Sequence, residues 1–432
     1  MLEFINGFNL AIFILFTLCY SYQMVYALVA LVKKPKKMQA RKLHRYGVII
    51  AARNESSVIG ELIKSIKRQN YPADLVDVFV VADNCTDNTA QIARQAGAIA
   101  YERFNRQQVG KGYALDFIFQ CIHRDYSEKG YEGFFVFDAD NLLDPNYIAE
   151  MNKVFDNGYR IITSYRNTKN YDSNWISAGY SLWFLREAKY LNNSRMLLNT
   201  SCAVSGTGFL VSSDVIRRNG GWKFNLLTED IQFSVDSVLQ GEKIGYCGTA
   251  VLYDEQPCSF EQSWNQRLRW SKGFYQVFAR YGGKLAKGAV KGHSFSCYDM
   301  FMTISPAMFL TLLSVFVNFA FMIVGICSAD VLPKMIPTTI SAIGASIVNF
   351  YLVLLLFGGL TTITEWKKIK STPAKKIFYT FTFPLFIFTY VPIALVALFK
   401  KIEWKPINHT IVKSVDEVQV DNGAVVGRNI SG

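Results

Sequence analysis

The stretch GFFVFDAD, Gly133 to Asp140, decides the fold. It is a short apolar run that stops on two acids, Asp138 and Asp140, with one alanine between them. An apolar run of this length, without polar alternation, reads as a strand covered on both faces. Toward the N-terminus, YGVIIAA (Tyr46 to Ala52), VDVFVVAD (Val76 to Asp83) and Ala98 to Phe104 read the same way, and Arg160 to Tyr165 does so on the other side. Helical spacing fills the gaps. Ile59, Leu62, Ile63 and Ile66 share one face before Asn70 and Pro72, and Thr86 to Ala96 ends at Gly97. Gly112 to Tyr126 and Asn146 to Phe155 are also helical. The alternation predicts an α/β domain with a mostly parallel sheet and helices on both faces. Ligands of such sheets bind at the carboxyl ends of the strands. Asp83, Asp138 and Asp140 all fall there.

Around this domain the composition is that of a chain partly solvated by lipid. Half of the 432 residues are hydrophobic and 15% are aromatic. Phe8 to Val32, Met300 to Cys327, Thr338 to Thr364 and Ile377 to Phe399 carry no charge, and each is long enough to span a bilayer. Lys33, Lys34, Lys36 and Lys37 follow the first run at once. By the positive-inside rule they place the domain in the cytoplasm, under a multi-pass plasma-membrane anchor. Lysines on both sides of the last run give conflicting signals for the C-terminus. Gln262 to Tyr298 holds seven basic residues, no acid, and interleaved Trp264, Trp270, Phe274 and Phe278, which suits helices lying on the membrane surface. The boundaries expected are 1–37 for the first helix and its basic flank and 38–260 for the catalytic domain. Interfacial helices follow at 261–299, a membrane region at 300–400 and a polar tail at 401–432, disordered from about Ser414.

The formal charge of +12 points to anionic headgroups and a phosphate-bearing substrate. No nucleic-acid motif accompanies it, so nucleic acid is not an expected partner. The eight cysteines stand singly without a CxxC pair, and there are only four histidines, which argues against a zinc site.

Three constellations carry chemistry. Asp138 and Asp140 at a strand end can hold Mg²⁺ or Mn²⁺, which bind a few carboxylates together with substrate phosphates. The plainer reading is a pair of solvated loop acids. Thr228-Glu229-Asp230 opens an amphipathic stretch. Read plainly, it is a helix start with threonine at the cap and acids in the first turn. Read functionally, Asp230 is a general base. Gln266, Arg269 and Trp270 fall at helical spacing on one face. There they offer an amide, a fork for phosphate oxygens and an indole for stacking a sugar. An interfacial tryptophan with a snorkelling arginine is the plainer reading.

In their order along the chain, Asn54-Glu55, Asp83, Asp138-x-Asp140, Thr228-Glu229-Asp230 and Gln266-x-x-Arg269-Trp270 resemble the processive membrane branch of glycosyltransferase family 2. That branch includes cellulose, hyaluronan, chitin and poly-N-acetylglucosamine synthases. The resemblance covers residues 45 to 275 and implies a GT-A type nucleotide-sugar-binding domain flanked by transmembrane helices. It implies that Ala51, Ala52 and Glu55 line the nucleotide pocket, with Asp83 near uracil and Lys111 facing the nucleotide. Asp138 would bind nucleotide and, with Asp140, the metal. Ser205, Gly206 and Thr207, in the SGTG turn to Gly208, would wall the acceptor site beside Glu229. Asp230 would be the base, while Gln266, Arg269 and Trp270 grip diphosphate and acceptor. Only one acid, Asp83, stands where the family often has two. Trp404 to His409 resembles a C-terminal Trp–His element of some relatives, with no role assigned.

The resemblance further implies an inverting, metal-dependent transfer from a UDP-sugar to a growing polysaccharide. N-acetylglucosamine is the first expectation for the sugar and glucose the second. Implied partners are the UDP-sugar, a glycan or lipid-linked acceptor, membrane lipids and a small accessory membrane subunit. Two other readings stay open. One is a non-processive transferase adding a single sugar to a lipid-linked acceptor. The other is a non-catalytic membrane protein that senses nucleotide sugars.

Overall fold

The computed structural model describes residues 2–326, 332–402, 409 and 411–419. Among the described residues, eight strands form one mixed sheet: β1 (Tyr46–Ala52), β2 (Val76–Asp83), β3 (Ile99–Arg103), β4 (Gly133–Asp138), β5 (Leu142–Leu143), β6 (Ile161–Thr168), β7 (Phe209–Ser212) and β8 (Ile244–Asp254). Their order is β3-β2-β1-β4-β7-β6-β8-β5. The first four are parallel neighbours, as the alternating pattern requires. β7 then runs against both β4 and β6, and β5 runs against β8, so the parallel majority is narrow. β6 and β8 pair in parallel across an irregularity between Ser164 and Tyr165.

Register aligns the strand ends that matter. Ala51 of β1 lies opposite Val81 of β2 on one side and Asp138 of β4 on the other. The antiparallel run of β7 sets Phe209 opposite Val136. The turn that precedes β7, Ser205 to Gly208, therefore sits at the carboxyl end of β4. Gly208 makes that approach at φ +67°, and its amide donates to the Val136 carbonyl at 2.9 Å. A Cβ there would overlap the Leu252 side chain, so no larger residue fits.

Both faces of the sheet are covered. Ile59–Lys67 and Tyr147–Asp156 bury Leu62, Ile63, Ile148 and Met151 against one face. The core on the other face runs without a break from Phe134 and Phe209 through Tyr180 to Phe383 and Phe386 of a membrane helix. The α/β domain and the membrane region thus share one apolar core.

Among the described residues, three helical segments are long and apolar enough to cross a membrane: Glu3–Val32, Gly344–Thr364 and Pro373–Phe399. Phe4, Phe13, Leu18, Phe378 and Phe381 on them are exposed, as lipid-facing side chains would be. The chain is a membrane protein. The uncharged run from Met300 is not one helix. It divides at Ser305 into Phe295–Ile304 and Pro306–Ile326, because Pro306 has no amide to continue the first helix. Cys327 lies outside the described residues. The basic stretch expected at the interface is a 31-residue helix, Phe260–Val290, capped by the Ser259 hydroxyl, which accepts from the Gln262 amide at 3.1 Å. The tail expected to be disordered from about Ser414 instead carries a short helix, Val415–Gln419. It docks Val418 against Leu142 and Tyr253, because that side chain has an apolar seat.

Candidate active site

Two cavities meet at the carboxyl ends of β1, β2 and β4. The smaller, about 140 Å³, is lined by Ala51, Ala52, Glu55, Asp83, Asp138 and Asp140. The larger, about 460 Å³, is lined on its catalytic side by Ser205, Gly206, Glu229, Asp230 and Trp270. Lys111, Asp138, Arg166, Gln266 and Arg269 line both and form the shared wall.

Each group is held by an identifiable device. Lys111 opens the helix Lys111–Tyr126, which is pinned because a Cβ at Gly112 would overlap the Phe224 carbonyl. From there its ammonium ion-pairs with Asp138 and donates to the Gly206 carbonyl at 2.8 Å. The Asp138 amide donates to Thr207 Oγ1 at 2.9 Å, and the Thr207 hydroxyl donates in turn to Asn141. Thr207 therefore lines neither cavity; it stands behind the site and locks the turn to Asp138. Asp83 pairs with Arg103 at 2.6 Å, its register partner on β3. Asp140 accepts from the Glu255 amide at 2.9 Å.

Residues the sequence reading had not used complete the site. Asp254 ends β8 and is buried, which pushes its carboxyl up to about 6 against the pull of the Arg166 guanidinium. It accepts from Arg166 Nε at 2.8 Å, from Asn141 at 3.0 Å and from Gln256 at 2.8 Å. Arg166 also donates to the Ser205 carbonyl at 3.2 Å and lies 3.7 Å over the Phe184 ring. An arginine in the second half of β6, directly after the run Arg160 to Tyr165 read as a strand, was its only signal in the sequence. His409 sits 3.0 Å from Glu55 and 4.0 Å from Asp140, closing the smaller cavity. Burial opposes its charge, but Asp140, Glu55 and Glu255 outweigh that and raise its pKa to about 10. Trp404 to Asn408 lie outside the described residues.

Glu229 and Asp230 occupy the first turn of Glu229–Leu239. The capping reading of Thr228 fails: its hydroxyl makes no capping bond and is buried without a partner among the described residues. Gln232 instead holds the loop that leads into the helix, its carbonyl oxygen accepting from the Asn225 and Leu226 amides at 3.1 and 3.0 Å. Burial raises both acids, and their mutual repulsion adds to it for Glu229, while Lys111 and Arg269 pull the other way. Arg269 donates to the Leu227 carbonyl at 3.0 Å, which aims its fork along the shared wall. Trp270 meets Tyr180 edge-on at 5.8 Å and faces the larger cavity. Gln266 Oε1 is buried on the shared wall without a partner among the described residues.

A divalent cation has a place here. Among the described residues no group of three His, Cys, Asp or Glu side chains forms a metal cluster. Mg²⁺ needs only one or two carboxylates when substrate phosphates supply the rest, and Asp138 and Asp140 face the cavity as that pair.

Cavity, strand ends and paired acids define a GT-A glycosyltransferase fold. The mannosyltransferase PcManGT from Pyrobaculum calidifontis, solved with GDP-Man and Mn²⁺, superimposes with a TM-score of 0.55 at 17% identity, over 91% of this chain and 99% of that one. The chain belongs to the glycosyltransferase like family 2, whose model matches residues 44–273. Similar curated proteins include the probable glycosyltransferase YdaM of Bacillus subtilis strain 168, 23% identical over 61% of this chain and 63% of that protein. The beta-monoglucosyldiacylglycerol synthase of Synechocystis is 24% identical over 54% and 48%. The poly-beta-1,6-N-acetyl-D-glucosamine synthase of Staphylococcus epidermidis is 22% identical over 56% and 58%. The chain thus spans roughly half to three-fifths of the length of these relatives.

Proposed function

We propose that the protein transfers a hexosyl group from a UDP-sugar to an acceptor hydroxyl, with inversion at the anomeric carbon. The observation that carries this is the shared wall: Asp230 faces one cavity, Asp138 and Asp140 the other, and Lys111 and Arg269 stand between. The nucleotide occupies the smaller cavity, its base near Asp83 and its diphosphate toward Lys111 and Arg269. The carboxylates of Asp138 and Asp140 would hold Mg²⁺ or Mn²⁺, which when bound would supply positive charge against the diphosphate leaving group. In the larger cavity Asp230 takes the proton of the acceptor hydroxyl. The acceptor oxygen then bonds to the anomeric carbon as the bond to the diphosphate breaks, so one base suffices and no covalent intermediate is needed. The orphaned Gln266 oxygen requires a donor, which a sugar hydroxyl supplies.

The relatives' names cover both acceptor classes, a polysaccharide and a glycolipid, and the catalytic geometry accommodates either. N-acetylglucosamine is the first choice of sugar and glucose the second. The domain faces the cytoplasm, where UDP-sugars are made, and a small accessory subunit in the membrane would be compatible with the exposed helix faces. The test is UDP release from purified protein across a panel of UDP-sugars. Release with one sugar, dependent on added acceptor, supports the reading. Saturable sugar-nucleotide binding without any release would favour a sensor instead.

A further inference from the structure

A buried line of hydrogen bonds joins the first membrane helix to the helix that carries Asp230. It starts at Asp299 on Phe295–Ile304, whose side chain is fully buried. Tyr22 and Tyr26 lie one turn apart on the spanning segment Glu3–Val32. They donate their hydroxyls to the two Asp299 oxygens at 3.0 and 2.7 Å. The Arg195 guanidinium grips the same two oxygens as a fork, Nε at 2.7 Å and Nη2 at 2.9 Å. Its Nη2 also donates to the Thr303 hydroxyl at 3.2 Å, and its Nη1 to the Asn192 side chain at 3.3 Å. Asn192 in turn clamps the backbone of Ala203. Its carbonyl oxygen accepts from the Ala203 amide at 3.1 Å, and its amide donates to the Ala203 carbonyl at 3.3 Å.

The other end of the line is catalytic. The next amide, that of Val204, donates to Ser234 Oγ at 2.9 Å, and that hydroxyl donates to the Asp230 carbonyl at 2.9 Å. Ser205 and Gly206 follow, and their carbonyls accept from Arg166 and Lys111. A Cβ on Gly206 would lie 3.9 Å from Asp230 Oδ2, so the turn runs past the carboxylate proposed as base. Arg195, Thr303, Ala203 and Ser205 line the larger cavity, and none of them lines the smaller.

A buried ion pair is a poor source of stability, because well-packed apolar side chains of the same volume do as well or better. What a bidentate fork adds is direction. Here the direction is that of the turn Ala203 to Gly206, held from the membrane side by Asn192 and from the catalytic side by Ser234. Resting on the transfer proposed above, we infer that Arg195 and Asp299 are positioning residues of the acceptor site. With Tyr22 and Tyr26 they keep that turn in register with Asp230, so that an acceptor hydroxyl meets its base. The first membrane helix then sets the geometry of the site as well as anchoring the chain. No proton or bond passes through these four residues.

The full chain is reconstituted in phosphatidylcholine vesicles with the UDP-sugar and acceptor that the release assay identifies, chitotriose and monoglucosyldioleoylglycerol being the acceptors offered. Tyr22→Phe with Tyr26→Phe keeps both rings and removes both hydroxyls. Transfer should fall about 10- to 100-fold, as for a reacting group displaced by about an ångström. The UDP Kd and the acceptor-free hydrolysis of UDP-sugar, in which water replaces the acceptor, should not change. Arg195→Met with Asp299→Leu removes both charges at similar volume. It should keep the thermal midpoint and lose transfer in the same way. Should that pair not fold, the tyrosine pair decides. Wild-type transfer by either folded double variant would overturn the inference alone. So would a parallel loss of transfer, hydrolysis and UDP affinity, which marks a merely structural role. Absence of UDP binding by the wild type would remove the donor reading and this inference together.

Discussion

Arg166 and Asp254 form a buried ion pair that ties the end of β8 to the wall between the two cavities. Through Asn141 and Thr207 the same aspartate reaches the amide of Asp138. Breaking one half of a buried pair leaves an uncompensated charge, at a cost of about 3–5 kcal/mol, whereas removing both charges costs much less. Arg166→Gln should therefore lower the thermal midpoint in detergent sharply, and Arg166→Gln with Asp254→Asn should recover most of that loss. Additive losses in the double variant would show that the two residues act independently.

Asp230→Asn keeps the shape of the side chain and removes the base. Turnover should fall by roughly 10²–10⁴-fold while UDP affinity and thermal midpoint stay near wild type. The pH profile follows from the same burial. The active form is deprotonated, and burial raises the carboxyls of Glu229 and Asp230, so kcat/KM should fall on the acid side at a pH above the ordinary carboxylate range. The two acids interact, so that limb belongs to the pair. Linkage gives the opposite sign for stability. A carboxyl raised by folding favours the folded state below its unfolded pKa, and that contribution is lost as pH rises through the folded value. These two acids should therefore lose activity in mild acid without weakening the fold, a separation that paired rate and melting curves would reveal or refute.

Chelation addresses Asp138 and Asp140. Excess EDTA should abolish transfer, and Mg²⁺ or Mn²⁺ should restore it, because Asp138 and Asp140 would hold the cation together with the oxygens of the substrate diphosphate. Asp138→Asn should leave the fold intact, since the Asp138 amide and not its carboxylate is what Thr207 holds. Full activity in chelator would take the metal out of the mechanism.

The parts of this fold legible in the sequence are those whose signal is local. The GFFVFDAD run, the three strands before it and the helices between them announce themselves by period and by their stops. β7 does not, because Phe209–Ser212 is only four residues long and its antiparallel direction is imposed by β4 and β6. β8 is broken in the sequence by Gly248 and Thr249, and it keeps its pairing through an irregularity. In the site, the acids, the Ser205 to Thr207 turn and the Gln266, Arg269 and Trp270 helix face were readable, and all of the candidate residues but Thr207 line a cavity. The Thr207 contact, the burial that leaves the Thr228 hydroxyl without a capping bond and the Arg166–Asp254 pair depend on tertiary approach. So does His409 against Glu55, a contact 354 positions apart along the chain. No pattern in the sequence encodes them.

Arg269 and Trp270 are neighbours in the chain, yet Arg269 lines both cavities and Trp270 only the larger, which would separate their proposed roles. The Arg269 fork is aimed along the shared wall by its bond to Leu227, within reach of a diphosphate in the smaller cavity. Trp270 lines only the larger cavity, where Tyr180 and Phe184 brace its ring edge-on. Arg269→Lys keeps the charge and loses the bidentate fork, so UDP affinity should fall by about 10-fold or more. Trp270→Phe keeps an aromatic face but shortens it and removes the indole N–H, so UDP affinity should hold while the KM for acceptor rises. Phenylalanine is the better probe than alanine, whose cavity would cost about 3–5 kcal/mol in this packed position and confuse binding with stability. Were both residues only anchors of the interfacial helix, the two variants would lose yield and thermal midpoint together, with no difference in ligand dependence. The deciding measurement is calorimetric UDP affinity beside acceptor KM, on detergent-purified variants matched for melting temperature. An unchanged UDP Kd in Arg269→Lys would remove the diphosphate role, and an unchanged acceptor KM in Trp270→Phe would remove the acceptor role.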